Sequence, residues 1–151
     1  MRGLGSWAGL LYERGNQLWH SFAGSKQWPT TNRYIIARDV TDILIRSEGK
    51  NIFIAECKFW FGPKKLIETI DQLLGYSSWR DTKVAIIVFN RNKDFSKVLE
   101  SIQETSKGHS NFKRKIAFTS ETMFYYVFAH RDDPNRELLL TVMAFDVPAN
   151  L

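Results

Sequence analysis

Three times in this chain an acidic residue is followed, two positions on, by lysine: Glu48-Gly49-Lys50, Glu56-Cys57-Lys58 and Asp81-Thr82-Lys83. A carboxylate and a lysine held on one surface can position a hard cation and neutralise charge on a phosphate. Chance supplies roughly one such triplet in a chain this long, so context must select. Glu48-Gly49-Lys50 reads as a turn, and Asp81-Thr82-Lys83 follows a helix, both places where solvated charge needs no explanation. Glu56-Cys57-Lys58 instead ends the apolar run Ile52-Phe53-Ile54-Ala55. Charge inside a β-strand is costly unless paired or metal-bound.

Side chains alternate along a strand, so Glu56 and Lys58 share one face while Ala55, Cys57 and Phe59 take the other. Cys57 is thereby expected in the core, not as a nucleophile. Asp42 opens the preceding run. A hairpin centred on Gly49 makes opposed residue numbers sum to 98, which sets Asp42 against Glu56 and Leu44 against Ile54. Opposed carboxylates repel unless a cation lies between them, and a slip of one residue would move Asp42 to Ala55. The same residues also fit a plain ion pair on an edge strand, with Asp42 as a turn residue.

The elements that must position these groups follow from periodicity. Trp7, Leu11, Leu18 and Phe22 share one face of a helix over residues 6 to 22. After Pro29 come β-rich runs at Arg33 to Ala37, Thr41 to Arg46 and Asn51 to Trp60, the last two joined by Ser47 to Lys50. Gly62-Pro63 starts a second helix, with Leu66, Ile70, Leu73 and Ser77 inward and Leu74 at the flank. Val84 to Phe89 is apolar throughout, as in a central strand covered on both faces. Phe95 to Thr105 reads as a helix turning Val98, Leu99 and Ile102 inward, Ser106 to Arg114 as a loop, and Met123 to His130 with Glu137 to Phe145 as an antiparallel hairpin. The expected fold class is α/β, a mixed central sheet flanked by helices with a C-terminal hairpin, in one domain over residues 1 to 151.

Composition narrows the chemistry. With 44% hydrophobic and 25% charged residues, and no apolar run long enough to span a bilayer, the chain reads as cytoplasmic, with no membrane partner. One cysteine and three scattered histidines exclude a disulfide and a multi-cysteine zinc site, leaving an oxygen-bound metal. A net charge of +5 suits a polyanionic partner such as nucleic acid, with DNA favoured, and equally a solvated surface with a small surplus of cations. Neither a phosphate-binding glycine loop followed by lysine nor a glycine-flanked serine is present.

Thr41-Asp42, then Glu56-Cys57-Lys58 fourteen positions later in an apolar strand followed by a helix, resembles the core of the PD-(D/E)xK nucleases, the restriction-endonuclease-like fold. Thr41 stands where the motif has proline, and the resemblance spans approximately Glu13 to Asn90. It implies a magnesium-dependent phosphodiesterase, a deoxyribonuclease acting as an endonuclease in preference to an exonuclease. Asp42, Glu56 and the Cys57 carbonyl would hold Mg²⁺ or Mn²⁺, with Lys58 positioning the attacking water or neutralising developing charge. Gln72 and Tyr76, four apart on the following helix, resemble the extra motif of RecB-type members. Lys65 and Trp79 share that flank as substrate-binding groups, and Glu13 matches a first-helix glutamate. Such a domain would act in defence or DNA repair, alone, as a homodimer, or excised from a larger protein with separate recognition domains. The competing expectation is a catalytically inactive nuclease-like module for nucleic-acid binding or oligomerisation.

Overall fold

The computed structural model describes residues 35–36, 42–47, 50–77 and 83–147. The helix expected over residues 6 to 22 lies outside them. In chain order the elements are β1 (Ile35–Ile36), β2 (Asp42–Ser47), β3 (Lys50–Phe59), α1 (Pro63–Tyr76), β4 (Lys83–Asn90), α2 (Phe95–Lys107), β5 (Phe112–Ile116), β6 (Met123–Ala129) and β7 (Glu137–Asp146). They form an α/β architecture with one mixed sheet in the order β1-β2-β3-β4-β7-β6-β5.

The unbroken apolar run of β4 has no face to offer water, and Val84 through Asn90 are all buried. Parallel neighbours lie on both sides of it, β3 with Glu56 beside Ile86 and Lys58 beside Val88, and β7 with Val142 beside Ile86. A parallel pair needs a crossover, which α1 supplies between β3 and β4. From β7 outward the sheet is antiparallel through β6 to β5, with β6 and β7 close to the bounds read from sequence.

Both helices pack on one face. Leu66, Ile70, Leu73 and Leu74 of α1 and Val98 and Ile102 of α2 share a core with Ile54, Val84, Ile86, Tyr126, Phe128, Leu140 and Val142. Full burial of one such side chain is worth about 1.5–3 kcal/mol, so this packing fixes both helices against the sheet. The reverse face is buried as well: Cys57, Ala85, Ile87, Thr141 and Met143 are each no more than 3% exposed. Among the described residues no helix is long and apolar enough to cross a membrane.

One expectation changes. Residues 106 to 114 do not form one loop, because α2 continues to Lys107 and Phe112–Ile116 pairs with β6. β5 is an edge strand whose Lys113, Arg114, Lys115 and Ile116 are exposed, so it lacks the apolar alternation by which strands are read; charge on an edge also discourages pairing with another chain. The aromatic run of β6 is core: Phe124, Tyr125, Tyr126 and Phe128 are 0 to 7% exposed. Burial also pushes the Tyr126 phenol up to about 12, against an opposing effect of the Ser106 hydroxyl.

Candidate active site

The register of β2 on β3 decides whether the acidic residues meet. Asp42 pairs with Glu56, Ile43 with Ala55, Leu44 with Ile54 and Ile45 with Phe53, the predicted sum of 98. Nearer the turn the register differs from the expectation: Arg46 pairs with Asn51 and Ser47 with Lys50, a sum of 97, with the shift between Ile45 and Arg46. Ile52 is therefore an extra residue in β3, a β-bulge. Had the turn-side register run on unbroken, Asp42 would face Ala55 across the sheet's other side. The bulge restores the backbone pairing of Asp42 with Glu56.

Backbone polarity refines this pairing. Trp60 N–H donates to the Phe89 carbonyl at 2.8 Å, so even-numbered residues of β3 turn their peptide groups toward β4, and odd-numbered ones toward β2. Asp42 and Glu56 thus form a pair that exchanges no backbone hydrogen bonds, the closer kind, with Cα atoms about 4.5 Å apart. The Cys57 carbonyl turns toward the β2 side. The Cys57 side chain takes the opposite face and is 2% exposed, as expected for a core residue.

Glu56 and Lys58 lie on the helix-covered face. The Glu56 side chain is 4% exposed and the Lys58 side chain 33%, with Lys58 Nζ 3.3 Å from Glu56 Oε2. The carboxylate is therefore buried on that face while the ammonium reaches the rim. This replaces the surface ion pair on an edge strand: β3 is an interior strand of the sheet, between β2 and β4.

The chain leaves β3 through Trp60, Phe61 and Gly62. Gly62 has φ 98°, a left-handed conformation that favours glycine, and Pro63 then opens α1, whose first-turn lysines are Lys64 and Lys65. Lys58, Phe61, Lys65 and Thr69 border a recess backed by Ile86 and Val88. The Thr69 hydroxyl donates to the Lys65 carbonyl at 2.8 Å, and Lys65 Nζ lies 3.0 Å from Glu68 Oε2. Arg91, just beyond β4, places its guanidinium 3.9 Å from the centre of the Phe59 ring. All these groups sit at the carboxyl ends of β3 and β4, the end at which open α/β sheets bind ligands.

Of the residues singled out from sequence, the structure brings together Asp42, Glu56, Cys57, Lys58 and, along the recess, Lys65. Gln72 is exposed on α1 and is not part of the recess lining. Tyr76 is the last residue of α1, and Glu13 and Trp79 lie outside the described residues. Sequence reasoning missed Thr69 and Phe61, which border the recess. Thr69 follows Lys65 by four positions, a spacing that shares a flank, so that stripe was there to be read; Phe61 carried no spacing signal.

Two oxygen-donor carboxylates on paired positions suit Mg²⁺ or Mn²⁺, which need only one or two carboxylates and keep several waters. Among the described residues no group of three or more His, Cys, Asp or Glu side chains is arranged to hold a metal. The histidines in the described part are structural. Nδ1 of His109 accepts from the Asn111 N–H (3.1 Å) and its Nε2 donates to Asp71 Oδ1 (3.0 Å). His130 likewise accepts from the Asp132 N–H (3.2 Å) and donates to the Ser77 carbonyl (3.1 Å). Compared with known proteins, the chain matches no family model, and neither a curated protein nor a solved structure matches it significantly.

Proposed function

We propose that this chain is a metal-dependent nuclease that hydrolyses phosphodiester bonds, in DNA by preference, with Asp42, Glu56 and Lys58 as its catalytic residues on a restriction-endonuclease-like core. The observation that carries the reading is a buried Glu56 carboxylate, 3.3 Å from the rim ammonium of Lys58 and opposite Asp42 in the sheet register. When ionised, Asp42, Glu56 and Lys58 together carry one net negative charge. A divalent cation reverses that sign for these three groups, which then suits one phosphodiester anion. When bound, Mg²⁺ or Mn²⁺ supplies Lewis-acid stabilisation of the phosphoryl oxygens.

The chain's own groups divide the remaining work. Asp42, Glu56 and the Cys57 carbonyl offer oxygen donors on one side. Lys58, anchored by Glu56 and one-third exposed, presents its ammonium to the scissile phosphate, where it offsets charge that grows in the transition state. Lys65, with 53% of its side chain exposed, attracts the polyanion from the same recess, aided by the chain's net charge of +5. Incubation with linear, circular, single-stranded and double-stranded substrates in Mg²⁺, Mn²⁺ or EDTA tests the proposal. Metal-dependent cleavage supports it. Nucleic-acid binding without cleavage in either metal favours an inactive binding module.

A further inference from the structure

The β3–α1 connection holds a large aromatic ring out in solvent. Phe61 is 76% exposed, the most exposed of the large apolar side chains in the described part of the chain. The next, Phe118 at 53%, packs edge-on against Tyr125 with ring centroids 4.7 Å apart. No ring or cation contact to Phe61 occurs among the described residues. Its neighbour Trp60 takes the inward place against the core cluster, and its other neighbour, Gly62, turns the chain at φ 98° directly before Pro63. The ring is thus carried on a three-residue connection whose inward place Trp60 takes.

Phe61 also borders the recess that Lys58 and Lys65 line. An aromatic face among cations is the arrangement that grips a single nucleic-acid strand, cations tracking phosphates while the ring stacks on a base. Within a duplex the base faces are already stacked on one another, so a projecting ring must first unstack a step, whereas an unpaired base offers a free face. Resting on the nuclease reading above, we infer that Phe61 stacks on an unpaired nucleobase next to the scissile phosphate, so that the enzyme acts preferentially on single-stranded or frayed nucleic acid.

The test uses the full chain, as wild type and as Phe61→Ala, Phe61→Leu and Phe61→Trp. Each is titrated in EDTA with a single-stranded oligonucleotide carrying 2-aminopurine and with the corresponding blunt duplex; cleavage of both is then measured in Mg²⁺. Phe61 is exposed, so the substitutions open no core cavity, and matched circular dichroism melts verify folding. Wild type and Phe61→Trp should quench 2-aminopurine on binding, whereas Phe61→Ala and Phe61→Leu should bind the single strand about tenfold more weakly, with duplex affinity changed less than about twofold. The single-strand to duplex cleavage ratio should fall in parallel. Unchanged single-strand affinity in Phe61→Ala, equal losses on both substrates, or full retention by Phe61→Leu overturns the inference. Because quenching needs no turnover, a chain that stacks the base yet cleaves nothing refutes the nuclease reading alone. A chain that cleaves with unaltered binding in Phe61→Ala refutes the Phe61 inference alone, and wild type that binds neither substrate refutes both.

Discussion

Removing Lys58 should cost stability because of what it leaves behind. The Glu56 side chain is 4% exposed and has the Lys58 ammonium at 3.3 Å, so Lys58→Ala takes a close cation from a carboxylate that water hardly reaches. Breaking a fully buried pair on one side costs about 3–5 kcal/mol. Lys58 is one-third exposed, and solvent screening of that end lowers the expectation to about 1–3 kcal/mol. For a chain of this length that corresponds to a fall in Tm of about 3–10 °C. Glu56→Gln removes the charge while keeping the shape, and should shift Tm far less. The double variant Glu56→Gln/Lys58→Ala should therefore melt above Lys58→Ala, because the penalty belongs to a buried charge that has lost the Lys58 ammonium and not to the missing lysine stem. Thermal denaturation followed by circular dichroism in EDTA reads all four proteins. Equal melting of wild type and Lys58→Ala, or a double variant no more stable than Lys58→Ala, would refute the reasoning.

Mg²⁺ or Mn²⁺ should support cleavage, whereas Ca²⁺, larger and less demanding in geometry, should bind without efficient turnover; full activity in EDTA would sink the metal mechanism. Gln72→Ala and Tyr76→Phe should weaken cleavage less than loss of Glu56 while leaving Tm nearly unchanged, and a Tyr76→Ala variant that only melts earlier, with normal cleavage per folded molecule, would assign Tyr76 to packing. Hydrogen bonds from Arg114 and then Lys113 hold the Glu137 carboxyl at about 2, so its contribution to stability is complete above the ordinary carboxylate range and is lost as pH falls toward 2. An NMR titration of wild type and Arg114→Ala checks this, and a wild-type midpoint at the usual carboxylate value would contradict it. Double-strand cleavage calls for two active sites, most simply in a symmetric dimer; light scattering that shows a monomer at working concentration, together with double-strand cleavage, would exclude that arrangement.

What the sequence made legible depended on patterns that the fold repeats. The apolar run of β4 marked a central strand because burial on both faces removes any need for alternation, and the inward stripe of α1 was readable from its spacing. The pairing of Asp42 with Glu56 followed from counting outward from Gly49, although the path to it differs: the turn-side register is one unit off, and the bulge at Ile52 corrects it. A bulge has little sequence signature when the extra residue is an ordinary isoleucine. β5 was missed for a related reason, since an exposed edge strand of Lys113, Arg114 and Lys115 has the composition of a loop. Phe61 was invisible because only three-dimensional packing shows that Trp60 occupies the inward place and leaves the next ring outside. Glu56 and Lys58 were found because charge in an apolar strand demands an explanation, whatever surrounds it.

Cleavage by purified Glu56→Ala, measured beside wild type with Mg²⁺ on a plasmid and a single-stranded circle, tests the central claim most directly, provided circular dichroism verifies that the variant is folded. Wild type should cut at least one substrate in Mg²⁺ and neither in EDTA, and Glu56→Ala should lose most of that activity. A folded Glu56→Ala protein that cuts as fast as wild type would show that the buried carboxylate of β3 is not the catalytic centre.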